Sequence, residues 1–195
     1  IILLHGYGGD GKDISMLSLN WKRHMPNTVF ICPNGHEPCA MNPSGYQWFD
    51  LSKEEPSYML EQSIKAENVI KKFIEEVKLE FDLSNKDICL SGFSQGCMIS
   101  YTLSINYPKK YKKVIGLSGK IPYEILKYDE KEDYTDHNFF CSHGIYDQVI
   151  PIEIGRESDK WLSKNKISHK YLEFDSAHGI NAENFEQMTH WLNKN

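Results

Sequence analysis

The chain has 195 residues, 40% hydrophobic and 25% charged, which is ordinary globular composition and enough length to bury a full core. Its net charge of −5 argues against a broad basic face for nucleic acid. Five cysteines, an odd number without paired spacing, supply neither a disulfide framework nor a zinc site and favour a reducing compartment. No apolar run approaches the ~18 residues needed to span a membrane, and no signal peptide is visible.

Ile1 to Leu4 is a continuous apolar run that reads as a buried parallel strand. The Gly-rich loop His5 to Gly11 follows, lacking the Gly-Lys-Ser/Thr ending of a phosphate loop. Asp13 is a candidate N-cap for a helix to about Arg23, and Thr28 to Cys32 reads as the next strand. A long loop then carries Tyr46-Gln47-Trp48-Phe49-Asp50, whose aromatics either wall an apolar groove or plug the loop onto the core. Ser52 to Glu55 has capping-box spacing ahead of Pro56. Met59, Leu60, Ile64, Ile70, Phe73, Ile74, Val77 and Phe81 then recur near period 3.6, predicting a long amphipathic helix.

Asp87 to Leu90 enters Ser91-Gly92-Phe93-Ser94-Gln95-Gly96, and a helical segment from Gln95 to Asn106 leaves it. The basic run Lys109 to Lys113 reads as a solvated loop, and Lys113 to Leu117 as a buried strand. Residues 120–137 are polar and turn-rich, an excursion over the sheet edge. Asn138 to Ser142 is a further strand, followed by His143-Gly144-Ile145-Tyr146-Asp147 and a helix to about Asn165. Ser168 to Phe174 alternates as an edge strand, then Asp175-Ser176-Ala177-His178-Gly179 leads to a last helix. This alternation argues a mainly parallel, three-layer α/β domain.

Gly92-x-Ser94-x-Gly96 between a strand and a helix is the nucleophile-elbow pattern. The sharp turn strains its apex and leaves room only for glycine two positions away on either side. In parallel sheets ligand chemistry gathers at the C-terminal strand ends, where Ser94, Asp147 and His178 fall in the order Ser, Asp, His. Ser94 needs a base, neutral His178 can take its proton and return it to the leaving group, and Asp147 would hold the imidazole's tautomer. Asp175 is a rival acid but sits too close in sequence to orient His178. His5 and His143 are rival histidines, better read as bonding loop backbone. A metal held by the three histidines lacks any supporting spacing. Cys97, inside the helix, reads as packing. Oxyanion donors would be the Gln95 amide and one from the loop at Tyr7.

With these residues assembled, the sequence resembles the phospholipase/carboxylesterase family of serine α/β-hydrolases, which includes acyl-protein thioesterases. The matching stretches are Leu4-His5-Gly6-Tyr7-Gly8, Pro33-Asn34, Gly45-Tyr46-Gln47-Trp48-Phe49, Gly92 to Gly96, Leu117-Ser118-Gly119, His143-Gly144 with Asp147 and Val149-Ile150-Pro151, and His178-Gly179. The His5 loop and Gly45 to Phe49 look like the bacterial carboxylesterase branch. The resemblance implies one α/β-hydrolase domain over 1–195, a mainly parallel sheet with helices on both faces. It implies a cytoplasmic serine carboxylesterase acting on esters or thioesters without cofactor or metal. Ser94, Asp147 and His178 would be its triad, and the Tyr7 and Gln95 amides its oxyanion hole. The substrate would be a small-molecule or lipid acyl ester or thioester, with an acylated protein as a further candidate; a homodimer stays open. Long-chain lysophospholipase or protein-thioesterase activity is the alternative. It would need an apolar channel walled by Tyr7, Trp48, Phe49, Ile121 and Val149. Two departures stand out: Cys97 where glycine is commoner, and no family strands before the His5 loop, so the chain is expected to start late.

Overall fold

A computed structural model gives the structure of the protein and describes residues 1–53 and 55–194. Five parallel strands form the sheet in the order β1 (Ile2–Leu4), β4 (Cys89–Phe93), β5 (Lys113–Leu117), β6 (Asn138–Gly144), β7 (His169–Phe174). The intervening β2 (Glu37–Pro38) and β3 (Tyr46–Gln47) form a separate antiparallel pair inside the long loop. Helices α1 (Gly11–Trp21), α2 (Pro56–Glu80), α3 (Gln95–Asn106), α4 (Ile152–Lys164) and α5 (Ala182–Lys194) cover the sheet.

Side chains alternate across each strand, and that alternation assigns the helices to faces. Leu3, Cys89, Ile115 and Phe140 pack with Ile14 and Trp21 of α1 and Met188 and Trp191 of α5. Ile2, Leu4 and Leu90 point the other way, into Ile70 and Ile74 of α2 and Ile99 and Leu103 of α3. Leu162 of α4 joins Tyr101, Val114 and Phe139 on that side. Both faces of β1, β4, β5 and β6 are therefore largely dry, which is why these strands read as apolar runs, while the edge strand β7 is only half-buried and alternates.

Four local expectations are corrected. The cap of α1 is Asp10, whose Oδ1 accepts the Asp13 amide at 2.7 Å; Asp13 sits in the first turn. Residues 28–32 do not form a strand. Only Ile31 bridges β1, through Leu3 N–H to Ile31 O and Ile31 N–H to Ile1 O. The Thr28 turn ahead and Pro33 behind, which has no N–H, leave room for no more. Ser52 does not cap α2, because Asp50 accepts both its amide at 2.9 Å and its hydroxyl at 2.5 Å; Glu55 stands at the N-cap and Pro56 opens the helix. The buried stripe of α2 runs through Ser63, Ala66, Glu67, Ile70, Ile74 and Val77, while Leu60, Ile64 and Phe81 are more than a third exposed.

Candidate active site

The strand-to-helix turn from β4 to α3 holds Ser94 at φ 53°, ψ −113°, a left-handed conformation rare for a residue with a side chain. Such strain costs on the order of 1–3 kcal/mol and persists only where the surroundings enforce it. Here they do. A methyl group on Gly92 would lie 2.1 Å from the Gly96 carbonyl carbon, and one on Gly96 would lie 2.2 Å from Leu4 O. The Ser94 amide is drawn to Leu117 O at 2.8 Å, which ties the turn onto β5. Its hydroxyl makes no cap bond to α3. The Gln95 amide is the first of α3 and has no acceptor within the helix, so it stands beside Ser94 as a donor at the positive end of the helix dipole.

The loop after β1 closes the other side. Gly6 lies against the elbow, since a methyl on it would be 3.2 Å from Ser94 Cβ and 3.0 Å from Phe93 Cδ1. Gly8, at φ 76°, supplies the left-handed turn that lets its amide reach Tyr46 O at 2.9 Å. Burial and a bond to Cys39 push the Tyr7 hydroxyl up to about 12. This hydroxyl is therefore neutral at physiological pH.

β6 ends at Gly144, and the loop beyond it carries Asp147 with its side chain wholly buried. Oδ1 accepts the amides of Val149 and Ile150, each at 2.9 Å. Oδ2 accepts from His178 Nδ1 at 2.7 Å. A buried carboxylate with three donors is oriented by all of them. The bond also sets the His178 tautomer, because Nδ1 carries the proton and Nε2 is left with a lone pair. The His178 imidazole packs on Phe93, ring centroids 4.9 Å apart, which places it beside the elbow. Among the described residues the hydrogen bond of the His178 ring is the one to Asp147, and no bond joins its Nε2 to the Ser94 hydroxyl. Nucleophile–base contacts are often loose in a site without substrate.

The rival groups are engaged elsewhere. His143 Nε2 donates to Ile150 O at 2.7 Å and lies 3.4 Å from Asp147 Oδ2. His5 bonds backbone through both ring nitrogens. The Asp175 side chain is not paired with His178. Among the described residues no group of three His, Cys, Asp or Glu is arranged to hold a metal ion. Cys97 is fully buried, its thiol pushed up by burial, and a methyl on Gly119 would lie 2.5 Å from its Sγ. The bulk added at position 97 is thus taken up by the absence of a side chain at 119.

A cavity of about 720 Å³ reaches Ser94, with residues 49–53 and 56–63 and the 120–125 excursion among its walls, lined by Phe49, Met59, Met98, Ile125 and Val149 among others. The structure corrects two expected groove residues. Trp48, 2% exposed, and Ile121, wholly buried, are core and do not line the cavity. The indole turns inward because its Nε1 finds an acceptor at His5 O, 2.9 Å away. Phe49, a core residue 2% exposed, still borders the cavity, and Val149, 66% exposed, lines it as expected. Ile125 lines the cavity from the 120–137 excursion, where the sequence marks it as one of the few apolar residues, whereas Met98 is a lining residue that the sequence reading does not assign to the groove. Met98 was findable, four residues after Ser94 and hence one turn along the same helix face.

The chain matches the profile of the Phospholipase/Carboxylesterase family over residues 1–195. Acyl-protein thioesterase 1 of Saccharomyces cerevisiae is 28% identical, with 100% of this chain and 91% of that protein covered. Acyl-protein thioesterase 1 of Emericella nidulans is 29% identical, covering 96% and 87%. Among solved structures, esterase PE8 superposes with TM-score 0.87 at 29% identity, covering 99% of this chain and 90% of that one. A carboxylesterase from Mesorhizobium loti, 19% identical with TM-score 0.80, shares the fold.

Proposed function

From its membership of the phospholipase/carboxylesterase family, to which this chain belongs, we infer that its carboxylic ester and thioester hydrolysis runs through an acyl-enzyme on Ser94. His178 Nε2 takes the Ser94 proton as Oγ attacks the acyl carbonyl. The Tyr7 and Gln95 amides receive the negative charge that develops on the carbonyl oxygen. As the tetrahedral adduct collapses, His178 returns the proton to the departing alcohol or thiol, and the carbon–oxygen or carbon–sulfur bond breaks. A water then repeats the sequence against the acyl-enzyme, its proton passing to His178 and back to Ser94 as the acid leaves. Asp147 holds the imidazole's tautomer and stabilises the imidazolium that forms in each half.

The observation that carries this reading is the 2.7 Å bond between Asp147 Oδ2 and His178 Nδ1, made by a carboxylate fixed through its other oxygen to an imidazole that packs on Phe93, the neighbour of the strained Ser94. The test is hydrolysis of p-nitrophenyl esters with acyl chains of about two to sixteen carbons, unaltered protein beside Ser94→Ala. Turnover should vanish in the mutant while the circular dichroism spectrum is kept; mutant turnover near the unaltered rate would remove Ser94 from the mechanism.

A second reading, long acyl chains on lipids or proteins, is favoured by the cavity of about 720 Å³ behind Ser94, lined mainly by apolar side chains. This hollow lies in the range of pockets that enclose whole ligands. A rate profile rising beyond eight carbons supports it. A profile flat beyond four carbons counts against it.

A further inference from the structure

The peptide unit joining Gly6 to Tyr7 has two polar ends. Its N–H is the Tyr7 donor of the proposed oxyanion hole, and its C=O is the Gly6 carbonyl. In a planar trans peptide these point in opposite directions, so whatever holds the carbonyl also aims the amide. Two donors hold it, the Gly9 amide at 3.0 Å and His5 Nδ1 at 2.7 Å. The location of the imidazole proton is forced. The Gly35 amide can only donate, and it meets His5 Nε2 at 2.8 Å. Nε2 therefore keeps a lone pair, and the proton of the neutral ring is on Nδ1. Burial pushes the pKa of His5 below its ordinary value, which keeps the ring neutral.

The ring is itself braced. Trp48 packs on it with centroids 4.9 Å apart and donates its indole N–H to His5 O at 2.9 Å. The Gln95 side chain accepts the Trp48 amide at 2.9 Å and donates to Phe49 O at 2.7 Å. A continuous path of buried bonds thus runs from Gln95, whose own amide is one proposed oxyanion donor, to the peptide that supplies the other.

We infer that His5 is a positioning residue for the oxyanion hole: its Nδ1–H, held in that tautomer by Gly35, turns the Gly6–Tyr7 peptide so that the Tyr7 amide faces the acyl oxygen at Ser94. This rests on the reading of Ser94 as nucleophile and Tyr7 as donor. His5 touches no substrate. Its effect comes through the peptide, whose N–H becomes a better donor when its carbonyl accepts a bond.

The experiment compares His5→Gln, His5→Asn and Ser94→Ala on p-nitrophenyl butyrate, and measures inhibition of each His5 variant by a trifluoromethyl ketone that forms a tetrahedral adduct on serine. Glutamine reaches the Nε2 position and can accept from Gly35, but places no donor at the Nδ1 position. Asparagine places an amide nitrogen at the Nδ1 position and gives up the Gly35 bond. His5→Gln should lower kcat about ten- to a hundred-fold with KM within about threefold, and weaken the ketone by a similar factor. His5→Asn should recover at least tenfold over His5→Gln. A purely structural role would instead rank the variants by Tm. His5→Gln with an unimpaired kcat, or His5→Asn no better than His5→Gln, overturns the inference. An inactive Ser94→Ala beside an unimpaired His5→Gln removes the role of His5 alone, whereas an active Ser94→Ala removes the nucleophile reading beneath it. If neither His5 variant folds, nitrogen NMR of the unaltered protein decides. A ring protonated on Nδ1 between about pH 6 and 8 supports the inference. A ring protonated on Nε2, with its Nδ1 lone pair against the Gly6 carbonyl, overturns it.

Discussion

Asp147 shows how one side chain can carry a loop and a reaction together. Its Oδ1 caps the amides of Val149 and Ile150 and its Oδ2 meets His178, so the two halves of the carboxylate answer to different parts of the molecule. Replacing Asp147 by Asn separates them. The asparagine oxygen can still accept the two amides, but the NH2 group now faces His178 Nδ1 and favours the tautomer with the proton on Nε2. That ring cannot accept a proton from Ser94. Asp147→Asn should therefore lower kcat by about three to four orders of magnitude with little change in Tm, measured by ester hydrolysis and thermal melting on the same sample. A loss below tenfold would place the orienting acid elsewhere. The sequence contained this residue as a candidate against Asp175. It did not contain the tautomer of His5, because that depends on Gly35, thirty positions away along the chain and in direct contact in space.

At the scale of elements, legibility followed local cause. β5 and α3 were readable to the residue because their apolar runs are bounded by Pro108 and Gly119 and by the elbow glycines. The 28–32 segment misled for the opposite reason. Its residues suit a strand, but pairing needs consecutive free amides on a neighbour, and Pro33 ends the ladder after one bridge. Trp48 was legible as an aromatic of consequence and illegible as to direction, since the acceptor that draws it inward, His5 O, lies on a different strand end. The elbow itself is an element-scale object, in which β4 and α3 touch through glycines. Gly92→Ala would drive a methyl into the Gly96 carbonyl, and backbone on both sides leaves it no room to move. Overpacking of that kind costs about 1–3 kcal/mol, so Tm should fall and activity should fall further than the lost stability explains as the Ser94 turn is pushed out of place. Urea unfolding and kcat on the same variant measure both; an unchanged midpoint would mean that β4 and α3 can part without penalty.

For the molecule as a whole, two buried histidines set a pH dependence of stability. Burial holds both His5 and His137 below the ordinary value of 6.5. The sign follows from where protons bind. Well above pH 6.5 neither the folded nor the unfolded chain protonates these rings, and they contribute nothing to the slope. As pH falls below 6.5 the unfolded chain takes up protons that the folded one refuses, so stability falls until the folded-state values are reached. Glu75, Asp87 and Glu173 are held below the usual carboxylate range by their partners and remain ionised down to about pH 5, so they do not mask the effect. Tm should decline between about pH 7 and 5, and a flat Tm there would contradict two neutral buried rings. The parallel strand order has a kinetic side as well. Ile2 pairs with Leu90, and Leu90 with Val114, so β1 finds its place only once α2 has been laid down and β4 is set. Contacts so distant along the chain must close a long loop before they return any stability, which slows folding. During refolding from denaturant, the apolar Ile2–Leu4 run therefore waits without β4, held at most through its single bridge to Ile31, and its open edge is then a site for aggregation.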